Sequence, residues 1–181
     1  MVWGMFALCL HPWPKLDRLK APVSCGVGGS IACDHMEDQR IDLKATALDA
    51  YRAMAAFDGS IELDSALREL VKIRASQLNG CAYCIALHTR EARKAGESEQ
   101  RLYALVAWRE SPLFTERERA ALELTDTITR IGENGVPDAV YDRVASEFSA
   151  AELANLIFAI TAINAWNRIA VTSGLVFADT P

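Results

Sequence analysis

From Lys44 onward, apolar residues recur at intervals of three and four with short polar breaks between the runs, and no alternating stretch is long enough for a strand. This pattern predicts an all-α fold, a compact multi-helix bundle. Leu48, Tyr51, Met54 and Ala55 mark a first helix, which Asp58-Gly59-Ser60 closes. Asp64 or Ser65 can cap the next, on which Leu67, Leu70, Val71, Arg74 and Leu78 repeat until Asn79-Gly80 breaks the period. Ser98 opens a helix with Leu102, Leu105 and Val106 on one side, ending at Arg109 to Pro112. Thr115 to Glu118 is a capping box before Ala121, Leu122, Leu124, Ile128 and Ile131, and Gly132 to Gly135 stop that run. Pro137 suits the first turn of the next helix, whose apolar side is Val140, Tyr141, Val144 and Phe148. A second capping box, Ser149 to Glu152, opens the longest helix, about 151–172. That helix is apolar nearly all round, so it is either central to the domain or buried in a subunit interface.

The stretch Glu69 to His88 carries the candidate chemistry. Asn79-Gly80 permits a left-handed reversal, so a second helix starts near Cys81 and runs to Lys94-Ala95-Gly96. On it Cys81, Cys84 and His88 stand at i, i+3 and i+7, on one face. Two sulfurs at that spacing can form a disulfide with little backbone movement. Cys81 lies at the helix start, where unpaired N–H groups favour a thiolate. Cys84 has His88 one turn further on as a base. Glu69, on the preceding antiparallel helix, is either a solvated helix residue or the group that orients His88. Half a zinc site is the competing reading of the cysteine pair, but zinc needs two more ligands and only His88 is near.

Glu-x(11)-Cys-x-x-Cys-x-x-x-His, filled here by Glu69, Cys81, Cys84 and His88, resembles the core motif of the alkylhydroperoxidase D family within the carboxymuconolactone decarboxylase-like superfamily. RASQLNGCAYC, HTREARKAGE, RLYALVAWRE, FTERERAALELT and INAWNR are similar to its peroxidase-related branch and extend the likeness over most of residues 41–170. One position departs: the best-described members have a histidine immediately before the second cysteine, where this chain has Tyr83, a group that titrates too high to serve as a ready base. The resemblance implies thiol-dependent reduction of organic hydroperoxides in antioxidant defence, with Cys84 attacking, Cys81 resolving, and His88 and Glu69 relaying protons. It implies no metal or other cofactor. A dithiol or lipoylated protein is the implied electron donor, exchanging at Cys81 as the more accessible sulfur, and the subunits are expected to form a trimer or larger homo-oligomer. Three other functions fit the same residues: a thiol-disulfide carrier or redox sensor without peroxide turnover, a carboxymuconolactone decarboxylase-type lyase, which has no need of the cysteine pair, and a purely structural helical oligomer with incidental thiols. Tyr83 reads as packing or as a pocket wall. Trp108 and Trp166 fit core positions, and Asn167 and Arg168 either bind across a subunit boundary or hydrogen-bond a loop.

Composition narrows the class further. With 181 residues and 51% hydrophobic content the chain can bury one substantial core. A net charge of -5 without any basic cluster argues against nucleic acid. Five cysteines without a convincing secretion signal point to a reducing, cytoplasmic setting, where Cys-x-x-Cys is catalytic more often than structural. The opening MVWGMFALCL is too short for a membrane span, and Asn155, Thr161, Asn164 and Asn167 interrupt the long helix. Residues 1–35, punctuated by proline and glycine, read as a poorly structured extension before a helical domain at 36–181, with Met36 a plausible start. Cys25, Cys33 and His35 match no metal-ligand spacing, and Cys9 belongs to the same segment.

Overall fold

The computed structural model describes residues 39–177. The readings made for residues 1–35, including Cys9, Cys25, Cys33 and His35, lie outside the described residues. Within them the order is α1 (Leu43–Thr46), α2 (Leu48–Gly59), α3 (Ser65–Asn79), α4 (Ala82–Lys94), α5 (Glu99–Ala104), a 3-10 turn over Leu105–Ala107, α6 (Glu116–Thr129), α7 (Asp138–Glu147) and α8 (Ala150–Ser173), and there is no strand among them. The all-α fold is as the periodicity predicts.

Helix ends follow local chemistry. Asp64 accepts from Leu67 N–H at the start of α3, and Ser98 accepts from Arg101 N–H at the start of α5. Thr115 and Ser149 each form a complete capping box, with Glu118 and Glu152 respectively. Gly80 closes α3 with φ 66°, a left-handed conformation that costs a residue with a Cβ. Its place in the chain reverses direction within two residues and delivers Cys81 to the start of α4. Pro137 stands one position before α7 rather than inside its first turn, where its missing N–H is equally harmless.

The α5 region departs from the expected single helix. It is six residues long, and a tighter turn follows. Leu102 and Leu105 are buried while Val106 is exposed. Past the tight turn the chain is held by arginines from other helices. Arg74 donates to Val106 O, and Arg119 donates to Trp108 O, Arg109 O and Ser111 O. Ile131 falls beyond the end of α6 and is likewise exposed.

α3 is the central helix: it packs against α4, α6 and α8. Leu70, Val71 and Ile73 are buried on successive positions because α3 has neighbours around most of its circumference. Each such side chain contributes about 2 kcal/mol by leaving water. Leu67, Val71, Leu124, Val144, Leu156 and Ile160 join α3, α6, α7 and α8 in one core cluster, while Leu70, Ile73, Leu105, Trp108 and Leu122 form a second on the other side of α3. Of the two readings of α8, the structure shows the central one. One face, including Leu156, Ile160 and Ile163, is fully buried, while Phe158 and Val171 on the opposite face are about half exposed. No helix among the described residues is long and apolar enough to cross a membrane.

Candidate active site

The structure brings Glu69, Cys81, Cys84 and His88 together where α3, α4 and α8 meet. Cys81 is the residue that caps α4, with extended backbone (φ -89°, ψ 93°), and its sulfur accepts the Cys84 N–H at 3.3 Å. The orphan N–H of the first helical turn thus points at a sulfur instead of the more usual hydroxyl or carboxylate. Cys84 lies one turn in. Both are free thiols, 1% and 3% exposed, and they pack with Ala75 of α3 and with Ile163 and Ala170 of α8. His88 Nδ1 and Glu69 Oε2 are 2.8 Å apart, with both side chains largely buried. A carboxylate only accepts, so Nδ1 carries the proton and Nε2 is left as the acceptor.

A cavity of about 490 Å³ opens onto this cluster. Cys84, His88 and Tyr83 line it from α4, Tyr51 from α2, and Trp166 and Ile169 from α8. Cys81 lies behind Cys84, away from the cavity wall. The expectation that Cys81 is the more accessible sulfur is therefore corrected: both sulfurs are buried, Cys81 packs against α8, and Cys84 is the one that lines the cavity. Tyr83 belongs to the cavity wall, and its ring also meets Phe177 edge-on at 5.8 Å.

The two thiols divide one charge unequally. The hydrogen bond from the Cys84 thiol draws the Cys81 thiol down to about 7, against the opposing effect of burial, and the Cys84 N–H and the Asn167 amide draw it the same way. The same thiol-to-thiol bond and burial push Cys84 up. The first proton therefore leaves from Cys81, and the second is held on Cys84. A pair of this kind titrates as a unit.

Asn167 is a site residue that the sequence did not place beside the sulfurs. It is fully buried, and its Nδ2 donates to Ser76 Oγ at 2.9 Å while the amide also reaches both cysteine sulfurs. Its carbonyl is turned the other way by Asn79, whose Nδ2 donates to Asn167 Oδ1 at 2.8 Å and Asn164 Oδ1 at 2.9 Å. The turn residue that reverses the chain thus also orients the amide beneath the sulfurs. The signal was present in part: Asn164 and Asn167 stand at i and i+3 on the buried face of an otherwise apolar helix, where an unpaired amide is costly. Arg168 faces outward and donates to Asn164 O and Oδ1. Among the described residues no group of three or more His, Cys, Asp or Glu side chains could hold a metal ion.

Asn167→Ala should move the alkylation midpoint of Cys81, near pH 7 in the native chain, to higher pH, because a donor to the thiolate is lost. It should also lower stability by about 1–3 kcal/mol, since Ser76 and Asn79 lose buried partners. An unchanged pH profile of alkylation, read by mass spectrometry of the Cys81 peptide, would remove Asn167 from the site.

Comparison with known proteins places the chain in a family. The carboxymuconolactone decarboxylase family pattern matches residues 45–127, a span that contains all four motif residues. The uncharacterized protein YdfG of Bacillus subtilis is 45% identical over 121 residues, 67% of this chain and 82% of that protein. A crystal structure from Agrobacterium tumefaciens, of a protein of unknown function proposed to be the antioxidant defence protein AhpD, superposes with a TM-score of 0.76 at 38% identity, covering 78% of this chain and 99% of that one. An uncharacterized peroxidase-related protein from Silicibacter shares the fold at 24% identity, with a TM-score of 0.64 over 75% of this chain and 72% of its own. Motif, helical architecture and matched length converge: the chain belongs to the carboxymuconolactone decarboxylase family, in its alkylhydroperoxidase D-like group.

Proposed function

We propose that the protein is a thiol-dependent peroxidase that reduces organic hydroperoxides through Cys81 and Cys84. The observation that carries this reading is the shared wall of one cavity: Cys84 and His88 line it together, with Glu69 bonded to the far side of the imidazole and Cys81 directly behind Cys84. His88 Nε2 takes the first proton from the thiol pair. The charge rests on Cys81 until a hydroperoxide enters. As the remaining proton passes along the thiol-to-thiol bond to Cys81, the charge moves to Cys84, which attacks the distal peroxide oxygen. The O–O bond breaks, Cys84 becomes a sulfenic acid, and the alkoxide leaves as the alcohol with the proton held by His88. Cys81 then attacks the sulfenic sulfur, its proton leaves with the hydroxyl as water, and a disulfide forms. Two thiols and one hydroperoxide thus give one disulfide, one alcohol and one water.

Recycling follows from the same asymmetry. A donor thiolate reaches Cys84 through the cavity and expels Cys81, whose sulfur at the α4 N-terminus is favoured as a leaving thiolate by the Cys84 N–H and the Asn167 amide. A slender dithiol, such as the arm of a lipoylated protein, suits a cavity of this size better than a bulky protein thiol. Burial of both sulfurs also counts against a thiol-disulfide carrier, which needs an exposed sulfur to meet partner proteins. Self-association is part of the proposal: α2 buries no residue, and with Leu48 it adds to the exposed apolar side chains Phe158 and Val171 of α8.

The reading is tested by following loss of dihydrolipoamide thiols with and without tert-butyl hydroperoxide. Consumption that requires the peroxide and saturates in it supports the proposal. Disulfide exchange that proceeds equally well without peroxide would refute it.

A further inference from the structure

The proposed reaction needs a proton donor at the departing alkoxide, and the cavity offers one that its motif residues do not include. His88, with Glu69 holding Nδ1, carries the first thiol proton on Nε2 as the alkoxide departs, and a further hydroxyl in the cavity can relay it. Asn167 lies behind the sulfurs and is occupied by Ser76 and Asn79. Two phenols, Tyr51 and Tyr83, line the same cavity as Cys84 and His88. Tyr103 donates to Glu99, whereas the hydroxyls of Tyr51 and Tyr83 have no hydrogen-bond partner among the described residues. Half-buried hydroxyls left without a partner in a cavity are available to a ligand.

Of the two, Tyr83 is the better placed. It immediately precedes Cys84 in the first turn of α4, so the same backbone fixes both. Its ring is held on one side by Phe177, which in turn lies under the Arg90 guanidinium at 4.8 Å. Tyr51 is anchored instead to Trp166, edge-on at 5.3 Å, across the cavity on α2. Burial pushes the Tyr83 phenol up, and the nearby Tyr51 and Cys84 push it further, against Arg90. The phenol therefore stays protonated over the working range and has a proton to donate.

Resting on the peroxidase reading, we infer that Tyr83 is a catalytic acid, donating its phenolic proton to the alkoxide oxygen as the O–O bond breaks. The Cys84 thiolate forms its bond to the distal oxygen and the electron pair of the O–O bond goes to the proximal oxygen. That oxygen takes the Tyr83 proton, giving the alcohol and a phenolate, which recovers a proton from the imidazolium of His88. No external oxidant beyond the hydroperoxide is involved.

The test compares leaving groups. Single-turnover oxidation of the full chain is followed with tert-butyl hydroperoxide, whose alkoxide needs protonation, and with 3-chloroperoxybenzoic acid, whose carboxylate leaves without it. Tyr83→Phe keeps the ring and its contact with Phe177. It should slow the first reaction about 10- to 100-fold and the second by no more than about twofold. Tyr51→Phe should slow both by less. Equal slowing of the two oxidants by Tyr83→Phe, or no slowing of either, would overturn the role of Tyr83 while leaving the peroxidase reading intact. Failure of the native chain to react with either oxidant would overturn both.

Discussion

Cys84→Ser should abolish peroxide turnover, a loss of about 10³-fold or more, because a serine hydroxyl in the same place is a far weaker nucleophile and forms no sulfenic acid. Cys81→Ser should behave differently. It leaves the sulfur that lines the cavity, so one equivalent of hydroperoxide is consumed per chain and Cys84 accumulates as sulfenic acid, with no second turnover. The contrast follows from the structure: Cys84 lies in the cavity wall and Cys81 behind it, 1% exposed, capping α4. Steady-state kinetics with mass spectrometry of the Cys81–Cys84 peptide checks both variants. Retained turnover in Cys84→Ser would transfer the nucleophile's role elsewhere.

The largest expected effect on stability lies away from the sulfurs. Asp126 on α6 is 3% exposed and accepts two hydrogen bonds from Arg74, Nε to Oδ1 at 2.6 Å and Nη2 to Oδ2 at 3.0 Å, with Arg109 Nη1 adding a third at 2.5 Å. Asp126→Ala leaves the Arg74 charge buried without its partner and should cost about 3–5 kcal/mol. In a chain of this length that corresponds to a fall in Tm of roughly 6–20 °C. The pH dependence has a definite sign. Burial pushes the Asp126 carboxyl up, but Arg74 and Arg109 together more than reverse this and hold it below the usual carboxylate range. Its folded value is thus the lower one, so its contribution is complete above the unfolded value, about 3.9, and is lost as pH falls through the folded value. Thermal melts of the native chain from pH 7 to pH 3 should show this acid loss, and the Asp126→Ala chain should show less of it. Because Arg74 stands on α3 five residues after Glu69, the substitution should also loosen the Glu69–His88 bond and weaken catalysis.

Much of this molecule was written in local pattern. The capping boxes at Thr115 and Ser149, the Asn79-Gly80 reversal and the three- and four-residue periodicity each follow from interactions within a few residues, which is why the helices are where the periodicity places them. The approach of Glu69 to His88 was legible only as an option, since it depends on how α3 and α4 pack, and nothing local sets that angle. The path of the chain after α5 was not legible, because the arginines that hold it come from α3 and α6. The same limit applies to Asn167. Its polarity on a buried face marked it as unusual, but its partners Ser76 and Asn79 lie about ninety residues earlier in the chain. Relative exposure of the two sulfurs was misread for a related reason: a helix start is open in isolation, and here α8 covers it.

The account stands on the thiol pair closing in response to a peroxide. Its most direct measurement mixes the fully reduced chain with one equivalent of tert-butyl hydroperoxide, quenches by alkylation at successive times, and follows the peptide that contains Cys81 and Cys84. The account predicts sulfenic acid on Cys84, then loss of two hydrogens as the bond to Cys81 forms, with one alcohol released per chain. Recovery of both cysteines as free, alkylated thiols after the peroxide has been supplied would contradict it.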